Sequence, residues 1–525
     1  MDTDIPADHT GAFTYAVDHA FDTGFLTFRG RLRKAKIWRM HLSHLVVVIP
    51  GIGGSVLRDP ASGEVVWSQG LPTLLSAIRR PEVLDLDRPL EAVGLLQDIQ
   101  AVPGWTVVPG YSTLWNTLSF LPGAVADRGN PRDRDYRANV LAFPYDFRRS
   151  IREAAADLGR RVDEQLRALG RAGEPDSVIV IAHSMGGLVA RYWIAQLGGA
   201  SVCRAVMTLG TPHRGAPKAL DVWAHGASLQ VGGMRKVFKK LSAETRRWPS
   251  LAELLPRYPC IADPDNPGRG LHVHDLARVS PTWAGLAAAG AHGWAVHQEI
   301  EFGWVGLERA PRVRPRVGFG QPTLQSARLE GGRLTVSELA PLWCNLGAQV
   351  LDAGDGTVPS ISGFPLEFED SPAHDPSLYQ VPVSHGRIGN DQSAAGFIGV
   401  LEGWTQRTGA RGSQRRVGLG LGAADLNAAG SPIPVRITWT GVEDEVAAKH
   451  RVFVRATSIG HGQPIDAPMN VEAVWDSELR EHVVHVSGLG EGWWTLTASA
   501  RAVPAAGDLE ATKDITVLDV TEVDL

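Results

Sequence analysis

Apolar positions fall into two textures along this chain of 525 residues. Between residues 44 and 404, short unbroken apolar runs alternate with segments of near-3.6 period, whereas beyond residue 435 short segments alternate apolar with polar positions. The runs His44-Leu45-Val46-Val47-Val48-Ile49 and Ser177-Val178-Ile179-Val180-Ile181-Ala182 are rich in β-branched residues, as expected of strands buried on both faces of a parallel sheet. Residues 205–209, 348–351 and 379–383 read as further strands. Ile151, Ala155, Leu158, Val162, Leu166 and Leu169 make one helical stripe, with Ser150 and Glu153 predicted to form a capping box and Gly170 to end it. Helices are also predicted from Leu188 to Leu197, stopped by Gly198-Gly199, and over residues 390–404. This succession predicts a mostly parallel sheet flanked by helices. Residues 405–434, rich in Gly, Ala and Ser, read as a linker. The segments 435–440, 451–458, 471–475, 482–487, 493–500 and 515–520 predict an all-β, immunoglobulin-like sandwich over residues 435–525, for which protein binding or self-association is the default role.

The boundary between strand 177–182 and the helix behind it carries Ala182-His183-Ser184-Met185-Gly186-Gly187. Strand, sharp turn and helix, with small residues around the serine, form a nucleophile elbow, in which Ala182 replaces the usual first glycine. A serine hydroxyl attacks only when a base takes its proton and a third group fixes that base. Of the 17 histidines, His385 in Ser384-His385-Gly386 is the best-placed base, on the loop leaving the last core strand. His213, in Gly210-Thr211-Pro212-His213-Arg214-Gly215, competes for the role but reads as a pocket wall, and His183 should point away from the elbow as a buried structural residue. Asp355, in Gly354-Asp355-Gly356-Thr357-Val358-Pro359, is the candidate acid, with Asp352 its rival. The Met185 amide and the Ile52 amide in Pro50-Gly51-Ile52-Gly53-Gly54 are the candidate oxyanion donors. The glycine-rich loop is followed by no Gly-Lys-Ser/Thr, and the chain has no Gly-x-Gly-x-x-Gly, which argues against nucleotide binding.

These segments, with Pro144-Tyr145-Asp146-Phe147-Arg148-Arg149, Leu254-Leu255-Pro256 and Gly318-Phe319-Gly320-Gln321-Pro322-Thr323, resemble the lecithin:cholesterol acyltransferase family, which includes lysosomal phospholipase A and related bacterial lipases. The resemblance runs in order over residues 44–404. It implies an α/β-hydrolase fold, with Ser184, Asp355 and His385 as a triad and Ile52 and Met185 as oxyanion donors. It also implies a cap insertion at about residues 58–135 and a lid at about 217–260, the latter holding Phe238 within Arg235-Lys236-Val237-Phe238-Lys239-Lys240-Leu241. The expected activity is hydrolysis or transfer of lipid acyl esters. A short-chain esterase or thioesterase, and a lipid-cleaving effector or sensor whose sandwich binds a partner, stay open as alternatives.

Composition narrows the setting. A net charge of −5 argues against nucleic acid as a partner, and three sparse cysteines, Cys203, Cys260 and Cys344, predict reduced thiols without a zinc site. No cofactor or metal is expected, and His272-Val273-His274-Asp275 reads as a surface loop. The acidic start lacks an apolar core for a signal peptide, and no apolar run is long enough to span a bilayer, so a cytoplasmic enzyme is expected. Residues 1–43 form an extension in which Arg29, Arg31, Arg33, Lys34, Lys36 and Arg39 interleave with Phe28, Leu32, Ile37 and Trp38. That patch suits either transient contact with a membrane surface or an ordinary solvated face, and Met40 is an alternative start.

Overall fold

The structure, a computed structural model, describes residues 40–68, 70–96, 110–231, 234–266, 268–341, 343, 353–368, 379–404, 417–459, 470–504 and 506–519. The basic N-terminal patch, Asp352, Cys344 and the expected strand 348–351 lie outside the described residues. The central sheet is built from β1 (Leu45–Ile49), β2 (Ala126–Asp127), β3 (Val140–Ala142), β4 (Val178–His183), β5 (Cys203–Leu209), β6 (Arg312–Gly318) and β7 (Gln380–Val381). All neighbours are parallel, in the order β7-β6-β5-β4-β1-β3-β2. Leu45, Val47 and Ile49 pack with helices α1 (Ile151–Ala168) and α2 (Met185–Gln196), while Val46 and Val48 pack with helices Ser112–Ser119 and Ser393–Leu401. Burial on both faces is why β1 and β4 read as unbroken apolar runs. This is the α/β-hydrolase architecture.

The chain leaves β1 toward β3 on one side and returns to β4 on the other. Ligands of open parallel sheets bind outside the carboxyl ends of the strands where the order reverses in this way. The ends of β1 and β4 lead into Pro50-Gly51-Ile52 and Ser184, at that reversal.

Helix α1 corrects one expectation. Ser150 does cap it, accepting the Arg152 amide at 3.1 Å, but Glu153 does not close a capping box. Instead the fully buried Glu253 accepts the Ser150 hydroxyl and the Ile151 amide, both at 2.6 Å. A carboxylate at a helix N-terminus meets both the unpaired amides and the positive end of the dipole. Local spacing suggested Glu153; the partner comes from about a hundred residues downstream.

The second sheet comprises β8 (Gly418–Gly422), β9 (Leu426–Ala428), β10 (Ile433–Thr440), β11 (Val452–Ile459), β12 (Asn470–Asp476), β13 (Glu481–Val486), β14 (Gly492–Val503) and β15 (Gly507–Leu518). Its order is β9-β15-β14-β11-β12-β13-β10-β8, and it folds over as a sandwich because β12 pairs with β11 through Asn470 to Ala473 and with β13 through Val474 to Asp476. Two strands, β8 and β9, fall in the stretch expected to be a linker. Leu419 and Leu421 point into the core while Gly420 presses on the backbone of Gly320, where an added Cβ would lie 1.9 Å from the carbonyl oxygen. Glycine content there reflects close approach, not a flexible connection.

The stretch 217–260 holds a hairpin between short helices. Met234–Val237 is a strand, hairpin-paired with Ser228–Val231, which in turn pairs with β9 through Gln230 and Asn427. Phe238 is buried at the start of helix Lys239–Thr245, with its amide on the Ala227 carbonyl.

Candidate active site

Four strand ends supply the site. Ser184 follows β4 in a turn with φ 51° and ψ −128°, a conformation few non-glycine residues adopt. The crowding that enforces it is measurable at Gly186, where a Cβ would sit 2.4 Å from the Pro50 carbonyl oxygen. Helix α2 therefore begins against the loop behind β1. Met185 is its first residue, so its amide has no partner within the helix. The Ile52 amide likewise meets no protein acceptor among the described residues.

His385 starts the short helix His385–Ile388 after β7, and Asp355 packs beside the end of β6, against Gly318, where Gln321 bridges to Gly354 and Asp355. The imidazole Nε2 stands 3.0 Å from Ser184 Oγ, and Nδ1 stands 2.8 Å from Asp355 Oδ2. The other carboxylate oxygen accepts the Thr357 and Val358 amides at 3.0 and 2.7 Å, and the His385 amide donates to the Asp355 carbonyl at 2.8 Å. Three of the predicted residues are thus in one hydrogen-bonded line; Met185 follows Ser184 directly, and a Cβ on Gly51, next to Ile52, would lie 3.3 Å from Ser184 Oγ. All three are shut away: Ser184 is 2% exposed, Asp355 1% and His385 0%.

His213 is buried beneath this group, not joined to it. Its Nε2 lies 3.2 Å from Thr208 Oγ1, and its amide donates to the Ser362 carbonyl. Burial, followed by Arg191, Arg214 and His297, pushes its pKa well below the usual histidine value, so the ring is neutral. Phe238 belongs to the hydrophobic cluster that also holds Ile52 and Met185. The sequence reading missed Tyr111, whose hydroxyl lies 2.8 Å from His183 Nδ1 and takes the Gly51 amide at 2.8 Å. It also missed Gln321, whose side-chain oxygen accepts the Leu421 amide at 2.9 Å. Gln321 stood inside a segment already singled out, but no local signal marks Tyr111.

Among the described residues, no cluster of three or more His, Cys, Asp or Glu side chains could hold a metal ion. His272 and His274 stack on each other and edge against Trp294, and no helix among the described residues is long and apolar enough to cross a membrane.

An imidazole held between a hydroxyl and a carboxylate can draw the hydroxyl's proton, and unpaired amides beside it can receive a developing oxyanion. Comparison with known proteins points the same way. The family model for lecithin:cholesterol acyltransferase matches residues 132–267, which include Ser184. A curated relative, lysosomal phospholipase A and acyltransferase of Bos taurus, is 29% identical over 154 residues, covering 28% of this chain and 35% of that protein. The chain therefore spans about a third of the length of the curated relative it matches. Solved structures aligned with the chain include the Tle4-Tli4 complex, at a TM-score of 0.45, 16% identity and coverage of 68% of this chain and 98% of that one. Another is the Bacillus licheniformis lipase BlEst2 in propeptide form, at a TM-score of 0.28, 10% identity and coverage of 90% and 93%. At those scores the fold assignment rests on the strand order described above.

Proposed function

We propose, from the family match over residues 132–267 and the geometry above, that the chain is a lecithin:cholesterol acyltransferase-like serine acyl hydrolase or O-acyltransferase acting on lipid acyl esters. The observation that carries the reading is the bridging position of His385, within hydrogen-bond reach of both Ser184 and Asp355. Ser184 Oγ attacks the ester carbonyl carbon as His385 Nε2 takes its proton, and the carbonyl electron pair moves onto oxygen, facing the Ile52 and Met185 amides. Collapse of that intermediate breaks the ester C–O bond, and His385 returns the proton to the departing alcohol. Water or an acceptor alcohol then attacks the acyl-enzyme with the same base and restores the Ser184 hydroxyl. The Asp355 carboxylate holds the imidazole with Nδ1–H toward itself and balances the charge formed on the ring. Hydrolysis and transfer differ only in the second nucleophile, so one set of residues serves both.

The burial of Ser184 adds a condition: a long acyl chain reaches it only after a covering segment moves. The test is fluorophosphonate labelling of the wild type and Ser184→Ala, then mass spectrometry of fatty acids and acylated products from mixed phospholipid vesicles with and without an alcohol acceptor. Labelling of Ser184→Ala at the wild-type rate would overturn the proposal. Turnover of water-soluble short esters alone would make the chain a short-chain esterase.

A further inference from the structure

His183, expected to be a buried structural residue, does not end in inert packing: its ring centroid lies 4.9 Å from that of His385. Its Nε2 lies 3.0 Å from the His385 carbonyl oxygen and its Nδ1 2.8 Å from the Tyr111 hydroxyl, which also meets the Gly51 amide at 2.8 Å. The direction of every proton in this chain can be worked out. A carbonyl oxygen only accepts, so His183 Nε2 carries hydrogen. Burial, with His385 close by, lowers the His183 pKa to about 3, so the ring is neutral and Nδ1 is bare. Tyr111 must then donate its hydroxyl hydrogen to Nδ1, and burial raises its pKa well above the usual phenol value, so that hydrogen stays in place. The remaining lone pair of Tyr111 takes the Gly51 N–H.

The two ends of this series are the parts that the proposed chemistry needs to hold still. One is the loop Pro50-Gly51-Ile52 that bears an oxyanion amide, and the other is the main chain of the base. The packing is as tight as the hydrogen bonding: a Cβ on Gly51 would lie 2.7 Å from Ser184 Cβ and 3.3 Å from His183 Nδ1. On the other side, a Cβ on Gly389 would lie 3.2 Å from the His183 ring. We propose that Tyr111 and His183 are positioning residues that lock the oxyanion loop and the main chain of His385 into one frame around Ser184. The inference rests on the hydrolase reading above. It explains why a histidine stands directly before the nucleophile, where the strand end needs only a small or apolar residue.

The test compares full-length wild type, Tyr111→Phe, His183→Gln, His183→Phe and Ser184→Ala in steady-state hydrolysis of a p-nitrophenyl ester, fluorophosphonate labelling and thermal melting. Tyr111→Phe removes a single oxygen and should fold; its kcat should fall roughly tenfold or more, with KM within about twofold of wild type. His183→Gln keeps an N–H donor at similar reach to the His385 carbonyl, and should recover a large part of the kcat lost in His183→Phe. Wild-type kcat in Tyr111→Phe would overturn the proposal. So would losses in kcat and KM that simply follow the melting temperature, or a Gln variant no better than Phe. Normal labelling of Ser184→Ala is a separate outcome and would instead remove the hydrolase reading beneath it.

Discussion

Asp425→Asn probes the junction between the 217–260 stretch and the sandwich. Asp425 lies just before β9 and joins Lys218 of helix Pro217–His225, at 3.1 Å, to Lys513 of β15, at 2.9 Å. Burial alone would raise its pKa, but the two lysines outweigh burial and hold it below the ordinary carboxylate value. Asparagine keeps the shape, removes the charge and leaves two ammonium groups facing each other. Breaking a fully buried pair from one side costs about 3–5 kcal/mol. Here the lysine side chains are still 20% and 13% exposed, so part of that cost relaxes into solvent and about 2–3 kcal/mol is the better figure.

Hydrogen exchange read by mass spectrometry on peptides spanning 217–231 and 426–428 reports this locally, without assuming that so large a chain unfolds in one step. At about 1.4 kcal/mol per factor of ten, those amides should exchange roughly 30- to 140-fold faster in the variant at pH 7. The pH dependence has a fixed sign. A carboxyl whose folded pKa is depressed contributes its full stabilisation above its unfolded pKa of about 3.9, and loses it as pH falls toward the folded value. The difference between wild type and variant should therefore be constant above about pH 5 and shrink below about pH 4. Exchange within about threefold of wild type at pH 7, or a difference that grows on acidification, would refute the electrostatic account.

Gln321→Ala strips the buried Leu421 amide of its acceptor, which costs about 1–3 kcal/mol; it should lower the melting temperature, while the main-chain N–H of residue 321 keeps its bond to the Gly354 carbonyl on the acid loop. Gly186→Ala places a methyl 2.4 Å from the Pro50 carbonyl oxygen, so activity and fluorophosphonate labelling should both be lost while the protein stays expressed; an active variant would show that the elbow has slack. Burial raises the Cys203 thiol to about 12, so iodoacetamide at pH 8 should leave it unmodified until denaturant is added, and alkylation of the native protein would contradict its placement. Glu253→Ala leaves the start of α1 without its acceptor for two donors at 2.6 Å and should destabilise by about 3 kcal/mol, visible as a lower melting temperature.

Legibility in the sequence followed the range of the interactions. β1 and β4 were plain because strands buried on both faces have no polar positions to dilute the signal, α1 because one apolar stripe meets the sheet, and both α1 and α2 because glycines follow their ends. The six expected sandwich segments correspond to β10 through β15, whose alternation reflects one face turned to the core and one to solvent. β8 was hidden by its own composition: Gly418-Leu419-Gly420-Leu421-Gly422 has the period-2 leucines of a strand, but its glycines answer to a neighbouring backbone about a hundred residues away. Sequence spacing carries no trace of that neighbour.

The same division runs through the site. Ser184, Asp355, His385, Ile52 and Met185 sit at strand ends, where chain order and local glycine patterns announce them, and they are brought together by a sheet whose parallel order sends every such end to one edge. The residues that hold them are not announced. Tyr111 arrives from the 58–135 insertion, and Leu421 arrives from β8 to meet Gln321 behind the acid loop. On the far side of the base, Arg387 reaches Asp514 of β15 at 3.4 Å. Both the acid loop and the helix of the base are therefore braced by the sandwich strands, although neither brace touches the reacting atoms.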